Sequence, residues 1–214
     1  MDIRIERVVP LEEGYQRLRQ APLDAAGEAS IRVYQDAVMR LGTFCPKELN
    51  PTSLYVLRSN LEVQRALREQ LLDRYGIDTL KLSSLLHLRD GTMVTGMAPP
   101  FVEIYDEQVQ IIAKPGDRTP PQPFWLRIPI LKDGIHRAWL AEEFGMPMHC
   151  IVVHGAPREH LPYIYPNEWS QVSVYDAVPP QKKFYRRQEP YTFMRPLRVL
   201  RQTEAITPHP QWGR

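Results

Sequence analysis

The sequence predicts an α/β protein with a helical N-terminal lobe, a mixed-sheet core and an extended C-terminal arm. Three observations carry this expectation. Apolar residues recur at helical spacing through the first third of the chain. From Ile77 onward β-formers gather in short runs. The prolines, 21 of 214 residues and about twice the usual share, concentrate in 99–129 and 162–210. Hydrophobic content of 43% with 24% charged residues predicts a packed core. The expected divisions are a helical lobe over 1–76, a core over 77–160 and a Pro- and aromatic-rich basic arm over 161–214.

Residues 2–9, DIRIERVV, alternate apolar and polar and predict a short strand. Leu11–Gln20 is expected as a helix. Over 26–41, Ile31, Tyr34, Val38 and Leu41 fall on one helical face, so a second helix is expected there, ended by Gly42. Pro46 and Pro51 make 43–59 a loop or short extended piece. Asn60 has the chemistry of an N-cap for a helix over 61–75, with Val63, Leu67 and Leu71 on its apolar face and Gly76 as its stop. Leu80–Leu88 is apolar without a deciding period, either strand or short helix. Residues 89–92, RDGT, form a turn. Residues 101–107 and 108–113 are expected as two strands joined by a tight turn at Asp106–Gln108. Residues 114–123 then form a loop long enough to serve as a lid. Beyond Val153 the chain is irregular, with Tyr163, Tyr165, Trp169 and Tyr175, and reads as an arm packed against the core.

The stretch that organises the chain is 124–153. Ile128, Ile130 and Leu131 end a buried strand, Asp133-Gly134 is a turn pair, and Ala138, Ala141 and Phe144 mark a helix. Gly145 and Pro147 stop that helix before a second strand over 149–153. A glycine turn entering a helix leaves several backbone N–H groups aimed at one spot, with the positive end of the helix dipole behind them. His136 and Arg137 lie in that first turn. Cations are unfavourable there unless an anion neutralises them, which points to bound phosphate or carboxylate. Arg137 could fork onto two oxygens, and His136 could donate a hydrogen bond or move a proton. The plainer alternative is that Asp133 caps the helix and His136 and Arg137 pair with acids elsewhere.

A strand ending in DGxHR, an alanine-containing helix, a glycine, a proline and a strand ending in VV together resemble the ParB/sulfiredoxin superfamily. The resemblance is to its DG-x-HR branch, which includes free-serine-kinase-like and DGQHR-type proteins. It covers about 30 residues well and implies a ParB/sulfiredoxin-like mixed-sheet core. It also implies a phosphate-binding box of Asp133, Gly134, His136 and Arg137 for ATP or another nucleotide. Two departures matter. Ile135 stands where sulfiredoxins carry a reactive Cys, so sulfiredoxin chemistry is not expected. The G-E-R-R box of ParB proper is missing, so CTP-gated DNA clamping is not expected either.

Phosphoryl transfer would need a carboxylate base beside the box and usually Mg²⁺. Glu103, flanked by Val102 and Ile104, is the candidate base, with Asp106 and Glu107 nearby and His136 as the second catalytic residue. An outward-facing strand acid is the ordinary alternative. His149, Cys150, His154 and His160 are zinc-binding types, but their spacing matches no common zinc framework, and no metal site is expected among them. Residues 181–201 hold seven Lys/Arg and one Glu, a local +6, which against a total of +2 leaves −4 on the rest of the chain. Lys182, Lys183, Arg186, Arg187, Arg195 and Arg198 alternate with aromatics and suit a nucleic acid or an acidic protein as partner. No membrane span and no signal peptide are expected, and two cysteines predict a cytoplasmic setting. Two functions therefore stand. One is a nucleotide-dependent phosphotransferase or hydrolase. The other is a non-catalytic nucleic-acid- or protein-binding module, which the resemblance sets in a bacterial DNA-modification or defence system.

Overall fold

The computed structural model describes residues 2–22, 31–110, 123–157, 167–179 and 197–201, without the side chains of Val109, Gln110 and Arg198. It has an α/β architecture, with helices in its N-terminal part and a mixed β-sheet core. In chain order the elements are β1 (Ile3–Pro10), α1 (Leu11–Gln20), β2 (Val38–Phe44), β3 (Asn50–Pro51), β4 (Tyr55–Leu57) and α2 (Arg58–Tyr75). They continue with β5 (Ser84–Asp90), β6 (Met93–Met97), β7 (Phe101–Gln110), β8 (Pro123–Asp133), α3 (Ile135–Glu143), β9 (Met148–His154) and β10 (Ser173–Tyr175). No helix among the described residues is long and apolar enough to cross a membrane.

The main sheet has five strands in the order β2-β9-β7-β8-β3. β7 runs parallel to β9 and antiparallel to β8, and β2 closes the far edge antiparallel to β9. A second sheet, β1-β5-β6, is antiparallel throughout. One apolar cluster joins α1, β2 and the second sheet to one face of the main sheet through Leu18, Tyr34, Leu85, Phe101 and Ile151. On the other face Val102, Ile104, Leu131 and Cys150 pack beneath Ala138 and Ala141 of α3. That second layer is what holds α3 in place.

Three sequence expectations are corrected. The helix expected over 26–41 is not formed in its described part: 33–36 are turns and Val38–Phe44 is strand β2. Its i, i+3, i+4 spacing also contains a period of two, since Met39 and Leu41 turn to the same cluster while Val38 is exposed. The unpaired edge of β9 decides between them, because its N–H and C=O groups need partners. Gly42 allows that pairing, since a Cβ there would lie 2.6 Å from Val152 Cγ2. The turn expected at Asp106–Gln108 does not exist. β7 continues through it, pairing with Arg127, Leu126 and Trp125, and the stretch holds no glycine to make a tight turn. The lid expected over 114–123 falls outside the described residues, apart from Pro123 at the start of β8.

Finally, α2 starts at Arg58 rather than after Asn60. Its N-cap is Leu57, with no side-chain cap of its own. The helix buries Leu61, Leu67 and Leu71, while Val63 is exposed. Its stop at Gly76 is as expected, with φ +66°. The undecided segment 80–88 divides into a 3-10 turn, Thr79–Lys81, and strand β5. Leu85 is fully buried where α1 meets the second sheet. Leu85→Ala is expected to cost about 2–5 kcal/mol of unfolding free energy, read as a lowered midpoint in chemical denaturation.

Candidate functional site: the cleft at the Asp133–Arg137 turn

The turn after β8 is built for close approach. Gly134 sits at φ +92°, and a Cβ added there would lie 2.7 Å from Pro100 Cβ. Pro100 is itself held, because its carbonyl accepts the Ile151 N–H at 2.8 Å. Gly134 is the N-cap of α3, and no side chain caps this helix end. The first intrahelical bond runs from Ala138 N–H to the Gly134 carbonyl at 2.9 Å. The N–H groups of Ile135, His136 and Arg137 precede that bond and have no intrahelical acceptor. Asp133 does not cap the helix. Its carboxylate instead receives the guanidinium of Arg201, from a C-terminal 3-10 turn over Leu197–Arg201.

Arg137 carries the unusual energetics. It is only 7% exposed. Its Nη1 donates to the Ala98 carbonyl, and no carboxylate among the described residues pairs with it. Burial pushes its pKa down to about 10, with Asp133 acting in the opposite direction. It therefore remains a cation at neutral pH. A buried guanidinium with one carbonyl partner leaves most of its five donors for something else.

His136 has a different task. Its Nε2 accepts the backbone N–H of Leu57 at 3.0 Å, with Asn60 Nδ2 at 3.5 Å. An accepting Nε2 is unprotonated, so the neutral ring carries its proton on Nδ1. Burial lowers its pKa from the ordinary imidazole value, with Asp133 opposing. His136 thus fastens the β4–α2 junction to α3 and supplies the N-cap interaction that α2 lacks.

A cleft of about 610 Å³ opens over this turn. α2 lines one wall with Asn60, Gln64 and Leu67. Strands β5 and β6 line another with Arg89 and Met93, and Asp133–Arg137 with Arg201 close the end. Gln64 Oε1 is buried there without a hydrogen-bond partner among the described residues.

The candidate base is not brought to this cleft. Val102 and Ile104 pack under α3, so strand alternation turns Glu103 to the opposite face of the sheet. Glu103 is fully buried there, accepts the hydroxyls of Tyr34 and Tyr105, and has Lys132 Nζ at 3.9 Å. Asp106 pairs with Arg127 at 2.8 Å on the outer part of the β7–β8 ribbon, and Glu107 is exposed beyond it. Cys150 is a core thiol, its pKa pushed up to about 12 by burial. Among the described residues no three His, Cys, Asp or Glu side chains are grouped as a metal would require. His160, Lys182, Lys183, Arg186, Arg187 and Arg195 lie outside the described residues, as does the Arg198 side chain.

Sequence reasoning missed Arg201, Gln64 and the Ala98 carbonyl. Arg201 was legible only as part of a basic stretch. Its place beside Asp133, 68 positions earlier, has no local signal.

Residues 13–118 match the family model of the ParB CE domain. No curated protein and no solved structure is detectably similar to the chain.

Two outcomes test this geometry. Glu103→Ala would leave the Tyr34 and Tyr105 hydroxyls without their shared acceptor and remove the carboxylate 3.9 Å from Lys132 Nζ. It is expected to cost about 3–5 kcal/mol of stability while leaving phosphate-ligand affinity unchanged, as denaturation and titration would register. The second concerns pH. His136 has a lowered folded pKa, so below about 6.5 the unfolded chain takes up its proton before the folded one. Its contribution is present above that pH and is lost as pH falls toward the folded value. The melting temperature of wild type should therefore fall on acidification, and His136→Gln should flatten that fall. His87 and His154, also lowered chiefly by burial, add slopes of the same sign.

Proposed function

The ParB CE match places this chain in the ParB/sulfiredoxin superfamily, and from that premise we propose that it works by binding rather than by turnover. In this reading it is a nucleotide-holding module of a bacterial DNA-modification or defence system, in the DG-x-HR branch. The nucleotide phosphates lie in the cleft over Asp133, Gly134, His136 and Arg137, with Mg²⁺ as their counter-ion. The single observation carrying the reading is Arg137, a buried cation that lines the cleft without a carboxylate partner among the described residues. An anion placed there would meet the guanidinium and the free N–H groups of the first turn of α3 together.

What favours binding over catalysis is the other face of the sheet. General-base catalysis needs a carboxylate within hydrogen-bond reach of the reacting hydroxyl or water. Glu103 is engaged by two tyrosines on the side away from α3, and His136 Nε2 is committed to Leu57. In the proposed function the basic segment carrying Lys182, Lys183, Arg186, Arg187, Arg195 and Arg198 meets an acidic partner, nucleic acid or protein.

Calorimetric titration with ATP, CTP and ADP, each with Mg²⁺, tests the cleft. Wild type is expected to bind at least one of them in the micromolar range without releasing product, and Arg137→Ala to abolish binding. Turnover that disappears on His136→Ala would restore the phosphotransferase or hydrolase reading. Silence with all three nucleotides would remove the nucleotide. For the partner, a labelled DNA duplex should bind with steep salt dependence, weakened when Arg186, Arg187 and Arg198 are neutralised together. A salt-insensitive or unaltered affinity would count against the basic segment.

A further inference from the structure

We infer that Arg201, delivered by the C-terminal turn, is a phosphate-binding residue of the cleft, acting opposite Arg137 on the same anion. The inference rests on the phosphate reading of the cleft and adds a residue from a part of the chain that the Asp133–Arg137 motif does not include.

The main chain of Arg201 is firmly placed. Val199 and Leu200 are buried in the cluster beneath α1 and the second sheet. Arg201 then passes directly over β6, where a Cβ on Gly96 would lie 2.4 Å from the Arg201 carbonyl oxygen. A glycine at 96 is thus what lets the C-terminal turn reach the cleft. The side chain beyond this anchor is half exposed and lines the same cleft as Arg137.

Its resident partner is easily displaced. The Arg201–Asp133 side chains are 53% and 31% exposed, and a pair this open to solvent is worth about 0–1 kcal/mol. A phosphate offers a guanidinium more charge and a bidentate geometry. Arg201 can therefore turn from Asp133 to the ligand while its backbone stays fixed. Arg137 has no such freedom, because it is buried and tied to the Ala98 carbonyl. The two arginines divide the work: one is a buried, fixed charge and the other a swinging charge at the rim. Two guanidiniums on one ligand suit a pyrophosphate or a longer phosphate chain better than a single carboxylate.

Pyrophosphate is the direct probe, titrated calorimetrically into the full chain. Wild type should bind it, and Arg137→Ala should lose it. Arg201→Ala is expected to weaken it about ten-fold or more with little change in melting temperature. Gly96→Ala displaces the Arg201 backbone without altering any charge and should weaken it in the same direction. Arg40→Ala removes one charge from exposed β2, outside the cleft, and should leave affinity unchanged. Wild-type binding with undiminished affinity in Arg201→Ala would overturn the role of Arg201 and leave the cleft reading intact. An equal loss in Arg40→Ala would overturn it as well, by reducing the effect to net charge. Failure of wild type to bind pyrophosphate would overturn the cleft reading and this inference with it.

Discussion

The structure depends on a close contact: Gly134 against Pro100, with Arg137 tucked in behind it. Pro100 immediately precedes β7 and takes the N–H of Ile151 from β9, while its ring presses on the turn that ends β8. Three central strands of the main sheet are thereby locked to one glycine. α3 must leave that glycine in one direction, and its first turn then carries Arg137 into the interior toward the Ala98 carbonyl. A larger residue at 134 would meet both a positive φ and the proline ring.

From that contact the two faces of the sheet take separate roles. The α3 face holds small and aliphatic residues, Ala138 and Ala141 over Val102 and Ile104, and ends in the cleft. The opposite face holds the buried Glu103 with Tyr34, Tyr105 and Lys132. Such a cluster is costly to bury and costly to break. It ties the turn around Tyr34 to β7 and β8, which makes it a structural joint between the N-terminal part of the chain and the sheet. The charged groups of the cleft are arranged differently: Arg137 donates to one backbone carbonyl and meets no carboxylate among the described residues, while Asp133 takes a half-exposed arginine.

The C-terminal turn draws the parts together. Leu200 packs at Gly14 of α1, where Leu85 of β5 also approaches, and Arg201 reaches Asp133. The cleft is walled by α2, by the second sheet, by the turn after β8 and by the end of the described chain. His136 adds the link to α2 by accepting the Leu57 N–H. A ligand in this cleft would touch elements separated by up to about two hundred residues of sequence, whose mutual positions no local pattern could reveal.

Strand β8, the Asp133-Gly134 turn, α3, its stop and β9 were legible because each is governed by neighbours in sequence: a change of period, a turn pair, a glycine with positive φ. The same holds for α1 and for the body of α2. The identity of Gly134, His136 and Arg137 as the first turn of a helix could likewise be read directly. What the residues could not decide was anything set by a partner far along the chain. Residues 38–41 fit both the helical period read over 26–41 and a strand period, and only the free edge of β9 selects the strand. Glu103 could face either side, and only the packing of Val102 and Ile104 under α3 settles which. Asp133 could cap a helix or pair elsewhere, and Arg201 decides. Local periodicity and turn chemistry are properties of the covalent neighbourhood, so the sequence by itself determined them. Edge pairing, facing and ion-pair choice are differences between competing contacts of similar energy, and only the tertiary structure decided those.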